Sequence, residues 1–227
     1  MAPPRRGRDL PLMPTSTIRS GDASRWGPDL AALVRLSGAL SGGEGVDLEP
    51  HLRRAARDAD ATEVEEAILQ SYLFLGYPTA LNAFAIWRDV SGRDAPPEVG
   101  ADEDRWMWRA RGETVCRSVY GEAYEALREN IGRLKPEMGR SMIEEGYGRV
   151  LGRPGLSIER RECCITAILA VQHVPVQLRS HLRGALRCGV TVEVVERILE
   201  VTAPFGSAAA AESARNTWSL VCAGEDS

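Results

Sequence analysis

The chain holds 227 residues, 44% hydrophobic and 26% charged, a balance that excludes wholesale disorder and suits one large domain or two small ones. Its 28 basic and 32 acidic residues give a formal net charge of −4, and with a pI near 5.6 no general nucleic-acid-binding surface is expected. No uncharged apolar run approaches the roughly 20 residues that a membrane span needs, and the Arg- and Pro-rich start lacks the apolar stretch of a secretory signal.

Residues 1–27, rich in Pro, Arg, Gly and Ser, read as a flexible or clamping arm. Residues 28–91 repeat their apolar positions at helical spacing, as in Val64, Ile68, Leu69 and Tyr72, and form the first unit. Residues 92–109 carry Gly92, Pro96, Pro97 and Gly100 beside Asp94, Glu98 and Asp102, the composition of an exposed linker. In it Trp106 and Trp108, flanked by Arg105 and Arg109, read as a mobile segment able to close over the second unit. That unit, residues 110–222, is helix after helix, with a turn at Arg153-Pro154-Gly155 and a break from Pro204 to Gly206. Alternating runs of β-branched residues are absent, which predicts an all-α fold. Five cysteines at irregular spacing, Cys116, Cys163, Cys164, Cys188 and Cys222, give no disulfide framework, so reduced thiols in a cytoplasm are expected.

The chain also resembles itself. His51-Leu-Arg-Arg-Ala-Ala-Arg lies against His181-Leu-Arg-Gly-Ala-Leu-Arg at an offset of 130 residues. The same offset pairs Glu63-Val64 with Glu193-Val194, Glu66 with Glu196, Ile68-Leu69 with Ile198-Leu199, Gly76 with Gly206 and Ala80 with Ala210. An ungapped match over about three helices predicts two tandem, related helical units.

The stretches Gly148–Glu162 and His181–Glu193 resemble the carboxymuconolactone decarboxylase family, whose superfamily includes the AhpD-like alkylhydroperoxidases. In the first unit Leu75-Gly76-Tyr77-Pro78-Thr79-Ala80-Leu81-Asn82-Ala83-Phe84 is similar to the family's later signature, whereas Ala208 stands where the second unit would carry its proline. The resemblance implies an AhpD-like all-helical fold in a homo-oligomer, commonly a trimer or hexamer. Helices apolar on more than one side, and the small-residue run Gly206–Ala214, would bury their surplus surface in such an assembly.

In the peroxidase branch a glutamate, a Cys-x-x-Cys pair and a following histidine do the chemistry. By resemblance Glu162 and His181 take the first and last of these positions, but Val174 and Gln177 occupy the cysteine positions. Neither can carry a thiol relay. In the first unit Ala32, Glu44 and Asp47 stand at the corresponding places and only His51 remains. Cys163 and Cys164 point about 100° apart on a helix and read as small core residues. His51 reads as a surface or capping histidine, His173 as a loop residue, and no metal-binding spacing is present.

Glu162 and His181 are therefore the candidate catalytic pair, on the inward faces of successive helices where a carboxylate and an imidazole can share a proton. Arg153 and Arg183 are the candidate substrate-binding residues, since a guanidinium pairs bidentately with a carboxylate. The alternative for the arginines 153, 160, 161 and 183 is ion pairing with Glu159 or Glu193 on a solvated face. Three functions stay open: a cofactor-free acid–base lyase acting on a small carboxylated lactone, a peroxidase of peroxiredoxin type, or a non-catalytic helical assembly or ligand binder. The partners expected are a small-molecule carboxylate and further copies of the chain, with no nucleic acid and no membrane.

Overall fold

Two helices are enclosed on nearly every side. In the computed structural model, which describes residues 25–43 and 45–224, these are α1 (Pro28–Ser41) and α7 (Ile158–Val171). Leu30, Leu33, Val34 and Leu36 of α1 are fully enclosed, as is every residue of α7 from Arg160 to Ala170 apart from small residual exposures. The two helices pack against each other, and the core divides around them. Cys163 belongs to one apolar cluster and Cys164 to the other, so the two thiols face different halves of the interior.

The remaining helices wrap this pair. They are α2 (Glu49–Asp58), α3 (Ala61–Ser91), α4 (Arg105–Tyr120), α5 (Tyr124–Leu134), α6 (Pro136–Ser141), α8 (Pro175–Arg187), α9 (Val192–Thr202) and α10 (Ala208–Ala223). No strand occurs among the described residues, so the fold is all-α as the periodicity predicts. No helix among them is long and apolar enough to cross a membrane. The arm read at 1–27 lies outside the described residues as far as residue 24, and so does Glu44.

Local chemistry sets the boundaries. Asp60, Asp104, Ser157, Thr191 and Ser207 each accept a backbone N–H at the start of a helix, the role expected of N-cap residues. The cap at Asp104 starts α4 inside the stretch read as linker. Trp106 and Trp108 thus sit in the first turn of a helix. Trp108 donates its indole N–H to Glu103 at 3.0 Å, while Trp106 is exposed.

Inside α3, Gly76 adopts φ 79°, a left-handed conformation that favours glycine. The kink lets Pro78, which has no N–H to donate, follow without breaking a helical bond.

Between α6 and α7 the chain forms a π-helical segment, Met142–Leu151, that crosses α4 at backbone contact. A Cβ on Gly112 would lie 2.0 Å from the Ile143 carbonyl oxygen, and one on Gly148 would lie 2.0 Å from that of Trp108. Only glycine fits either position. This crossing fixes where Tyr120 of α4 and Tyr147 of the π-helical segment meet.

At the 130-residue offset, α1 and α7 have identical limits, and α2 falls within the span of α8 extended by one residue. The first half of α3 falls on α9 and the 3₁₀ turn Ala203–Phe205, and its second half on α10. Gly206 takes Gly76's place with an extended backbone (φ −104°) instead of a left-handed one.

Candidate functional site

Glu162 projects from α7 and His181 from α8, and the two side chains meet: His181 Nδ1 lies 2.9 Å from Glu162 Oε2. Glu162 is fully enclosed, whereas 8% of the His181 side chain reaches the surface. The second carboxylate oxygen, Glu162 Oε1, has no hydrogen-bond partner among the described residues. One turn further along α7, buried Thr166 Oγ1 also lacks one, although a helical Thr commonly bonds the carbonyl four residues back. Two unsatisfied polar atoms on one stripe are unusual in a protein interior.

Aromatic rings enclose the imidazole. Phe74 meets it edge-on with centroids 6.1 Å apart, and Tyr120 does so at 6.2 Å. Tyr120 packs in turn on Tyr147 at 6.1 Å. The Tyr147 hydroxyl donates to that of Tyr120, and Glu162 adds its charge to the burial that holds both phenols protonated. Tyr120 is thereby pushed up to about 12. α8 approaches closely because residue 184 is glycine: a Cβ there would come within 2.6 Å of Val119 Cγ1 and 3.2 Å of Glu162 Oε2. Phe74, Tyr120 and Tyr147 escape sequence reasoning, since they lie 107, 61 and 34 residues from His181 and share no motif with it.

The thiols do not add to this site. Burial first, and Glu162's charge second, raise Cys116 to about 12, and burial raises Cys188 to about 12 and Cys164 to about 11. Cys163 is raised well above its usual value by burial and by Cys164. With a thiol near 12, the reactive thiolate at pH 7 is outnumbered about 10⁵-fold. Val174 and Gln177, in the cysteine positions of the peroxidase pattern, lie at the start of α8, half-buried and exposed respectively.

The arginines separate. Arg160 and Arg161 are buried and do not pair with Glu159 or Glu193 on a solvated face. Arg160 binds Asp29 and Glu63. Arg161 donates to Glu66 at 2.8 Å, to Gln70 at 3.3 Å and to the Leu156 and Arg153 carbonyls. These contacts tie α7 to α1 and α3 over sequence separations that no local pattern could reveal. Arg153 shares Glu66 with Arg161, at 3.2 Å, and lines a surface groove against α3 whose walls include neither Glu162 nor His181. Arg183 is half-buried on α8. His173 is an exposed loop residue with φ 56°. His51 is half-buried on α2, edge-on to Phe205 with centroids 5.1 Å apart, and so is neither a cap nor a free surface residue.

An all-helical chain with a Glu–His pair on successive helices is consistent with the all-α carboxymuconolactone decarboxylase/AhpD-like fold. Residues 136–219, which include the pair, match the model of the Carboxymuconolactone decarboxylase family. It is also 27% identical over 139 residues to "Peroxisomal protein 2" of Schizosaccharomyces pombe. That alignment takes in 59% of this chain and 63% of the relative, so the chain spans less than two thirds of the length of the relative it matches.

Proposed function

We propose that the chain is a cofactor-free acid–base lyase that removes CO₂ from a small carboxylated lactone or a related acid. Glu162 and His181 would be its working pair. The observation that supports this most is the 2.9 Å contact of His181 Nδ1 with a fully enclosed carboxylate whose second oxygen has no partner. Glu162 holds the ring by Nδ1, which leaves Nε2 to carry and deliver a proton. In the reaction the bond between the substrate carbon and its carboxylate breaks and CO₂ departs. The electron pair moves into the conjugated lactone carbonyl as a dienolate. His181, protonated, then delivers its proton to carbon and recovers one from water. The neutral Tyr120 hydroxyl, which accepts from Tyr147, keeps its own proton for the developing oxyanion. A peroxidase route is disfavoured by the protonated thiols.

The competing reading is a structural pair, favoured by the tight walls at Gly184. The proposal includes a tandem origin, with residues 28–91 and 110–222 as units, a homo-oligomer as the working form, and a reducing compartment, cytoplasmic or, as the relative's name suggests, peroxisomal. The test is a panel of carboxylated γ-lactones assayed for CO₂ release, with the product formed in D₂O examined for deuterium on carbon. CO₂ release that Glu162→Gln lowers at least about 100-fold, a usual share for acid–base catalysis, is expected. Turnover unchanged in Glu162→Gln, or no release from any lactone of the panel, contradicts the reading.

A further inference from the structure

The groove that holds Arg153 lies on the other side of α3 from the Glu–His pair. Phe74, which meets His181, and Tyr72, which lines the groove, are two residues apart and so point about 200° apart on a helix. One part of the groove, about 200 Å³, runs between Tyr72, Tyr77, Leu81 and Arg149; a second, about 580 Å³, opens toward residues 93–99. Both share Leu69, Leu81, Phe84, Arg149 and Arg153 as walls, a size and mixed lining typical of small-molecule sites.

Its chemistry is asymmetric. Leu69, Leu81 and Phe84 form an apolar side, Tyr72 and Tyr77 stack with centroids 4.9 Å apart at one end, and two guanidiniums close the other side. Arg149 is engaged by Glu145 at 3.0 Å and by Glu98 at 3.7 Å. Arg153 is not so well served. Its ion-pair partner, Glu66, is also the partner of buried Arg161. The buried Nε of Arg153, although 3.2 Å from Glu66 Oε1, makes no hydrogen bond. Arg153 and Arg161 therefore share one carboxylate beside the apolar wall of Leu69, Leu81 and Phe84, while the wider part of the groove is also lined by Glu65, Arg88, Arg93, Asp94 and Glu98.

We propose that this groove is a binding site for an apolar monocarboxylate, an anion of aryl or medium-chain acyl type. Its carboxylate pairs with Arg153 and its body lies on Leu69, Leu81 and Phe84. The site is distinct from the lyase reading and does not depend on it. Tyr77 and Leu81, each 63% exposed, gain cover from such a ligand, and Arg153 gains the acceptor that Glu66 only half supplies.

The experiment is calorimetric titration of the full chain with 2-naphthoate, with 2-naphthylmethanol as its uncharged analogue. One saturable site per chain is expected, with the alcohol at least about tenfold weaker, a difference of about 1.4 kcal/mol. Arg153→Gln should weaken 2-naphthoate by at least about tenfold. Leu81→Glu, at an exposed position that folding does not depend on, should do likewise by placing a like charge against the ligand. His181→Ala should leave the affinity within about twofold. The proposal is overturned if no saturable binding appears up to about 5 mM, a bound near −3 kcal/mol. It is equally overturned if the alcohol binds as well as the acid, or if His181→Ala abolishes binding that Leu81→Glu leaves intact.

Discussion

His181 and His51 occupy matching positions on α8 and α2, and each packs edge-on against an aromatic ring from the opposite half of the chain, Phe74 and Phe205 respectively. Phe74 stands two residues before Gly76, and Phe205 one residue before Gly206. The surroundings differ where the chemistry would lie. His181 has Glu162 at 2.9 Å; at the corresponding point on α1 the chain has Ala32, buried at 1% exposure. Burial, and then Arg35, lower the pKa of His51, with Asp47 opposing them. One scaffold position thus carries a hydrogen-bonded imidazole in one half and an imidazole pushed toward its neutral form in the other. The scaffold places a ring; a single buried carboxylate decides whether that ring has an acid–base partner.

The ion pairs beneath differ in the same way, and the largest effect is expected at Arg161, whose counterpart in the first half is Ala31. Arg161→Met removes the nearer of Glu66's two arginine partners, leaving Arg153 at 3.2 Å, and should cost about 3 kcal/mol of stability, the low end of the usual effect of removing one partner from a buried pair. Chemical denaturation measures it, and a cost below about 1 kcal/mol would show that the two halves do not differ in this way.

A smaller effect is expected at Glu162→Gln, which keeps the shape of the side chain and removes the charge. Turnover should fall about 100-fold, or about 2.7 kcal/mol, while the melting temperature changes little. A lowered melting temperature with turnover unchanged would make the Glu162–His181 pair structural.

The His51 side responds to pH. Because its folded-state pKa is depressed below 6.5, the unfolded chain binds the proton more readily, so this residue costs stability as pH falls through and below that value and costs nothing above it. His51→Gln should therefore shrink the difference in melting temperature between pH 7.5 and pH 5.5, and an unchanged difference would remove Arg35 and burial as the cause. The smallest effect lies in the thiols. With Cys116, Cys163, Cys164 and Cys188 all raised, native chain at pH 7.5 should react quickly with iodoacetamide only at exposed Cys222, as counted by mass spectrometry.

Helices are legible in the sequence wherever apolar residues keep a 3.6-residue period or a capping residue marks a start, as at Ser157 and Thr191. The contact of Glu162 with His181 is legible through the family resemblance and because two helices neighbouring in sequence carry them. The start of α4 is missed when Trp106 and Trp108 are assigned to the linker, although Asp104 stands in position to cap a helix. Arg160 and Arg161 are misread because their partners, Asp29, Glu63 and Glu66, lie 95–131 residues away, and burial of a guanidinium depends on such distant pairing. The ring around His181 has the same origin: it assembles from α3, α4 and the π-helical segment, and the crossing at Gly112 and Gly148 that aligns it is a tertiary contact.

The most direct measurement compares His181→Ala with His51→Ala in decarboxylation turnover, each at a temperature where the variant is fully folded. If His181 is the general acid, the first loses about 10²- to 10⁴-fold, the range for removal of such a group, and the second keeps wild-type turnover. Equal turnover in both variants, with only the melting temperature lowered, would contradict it.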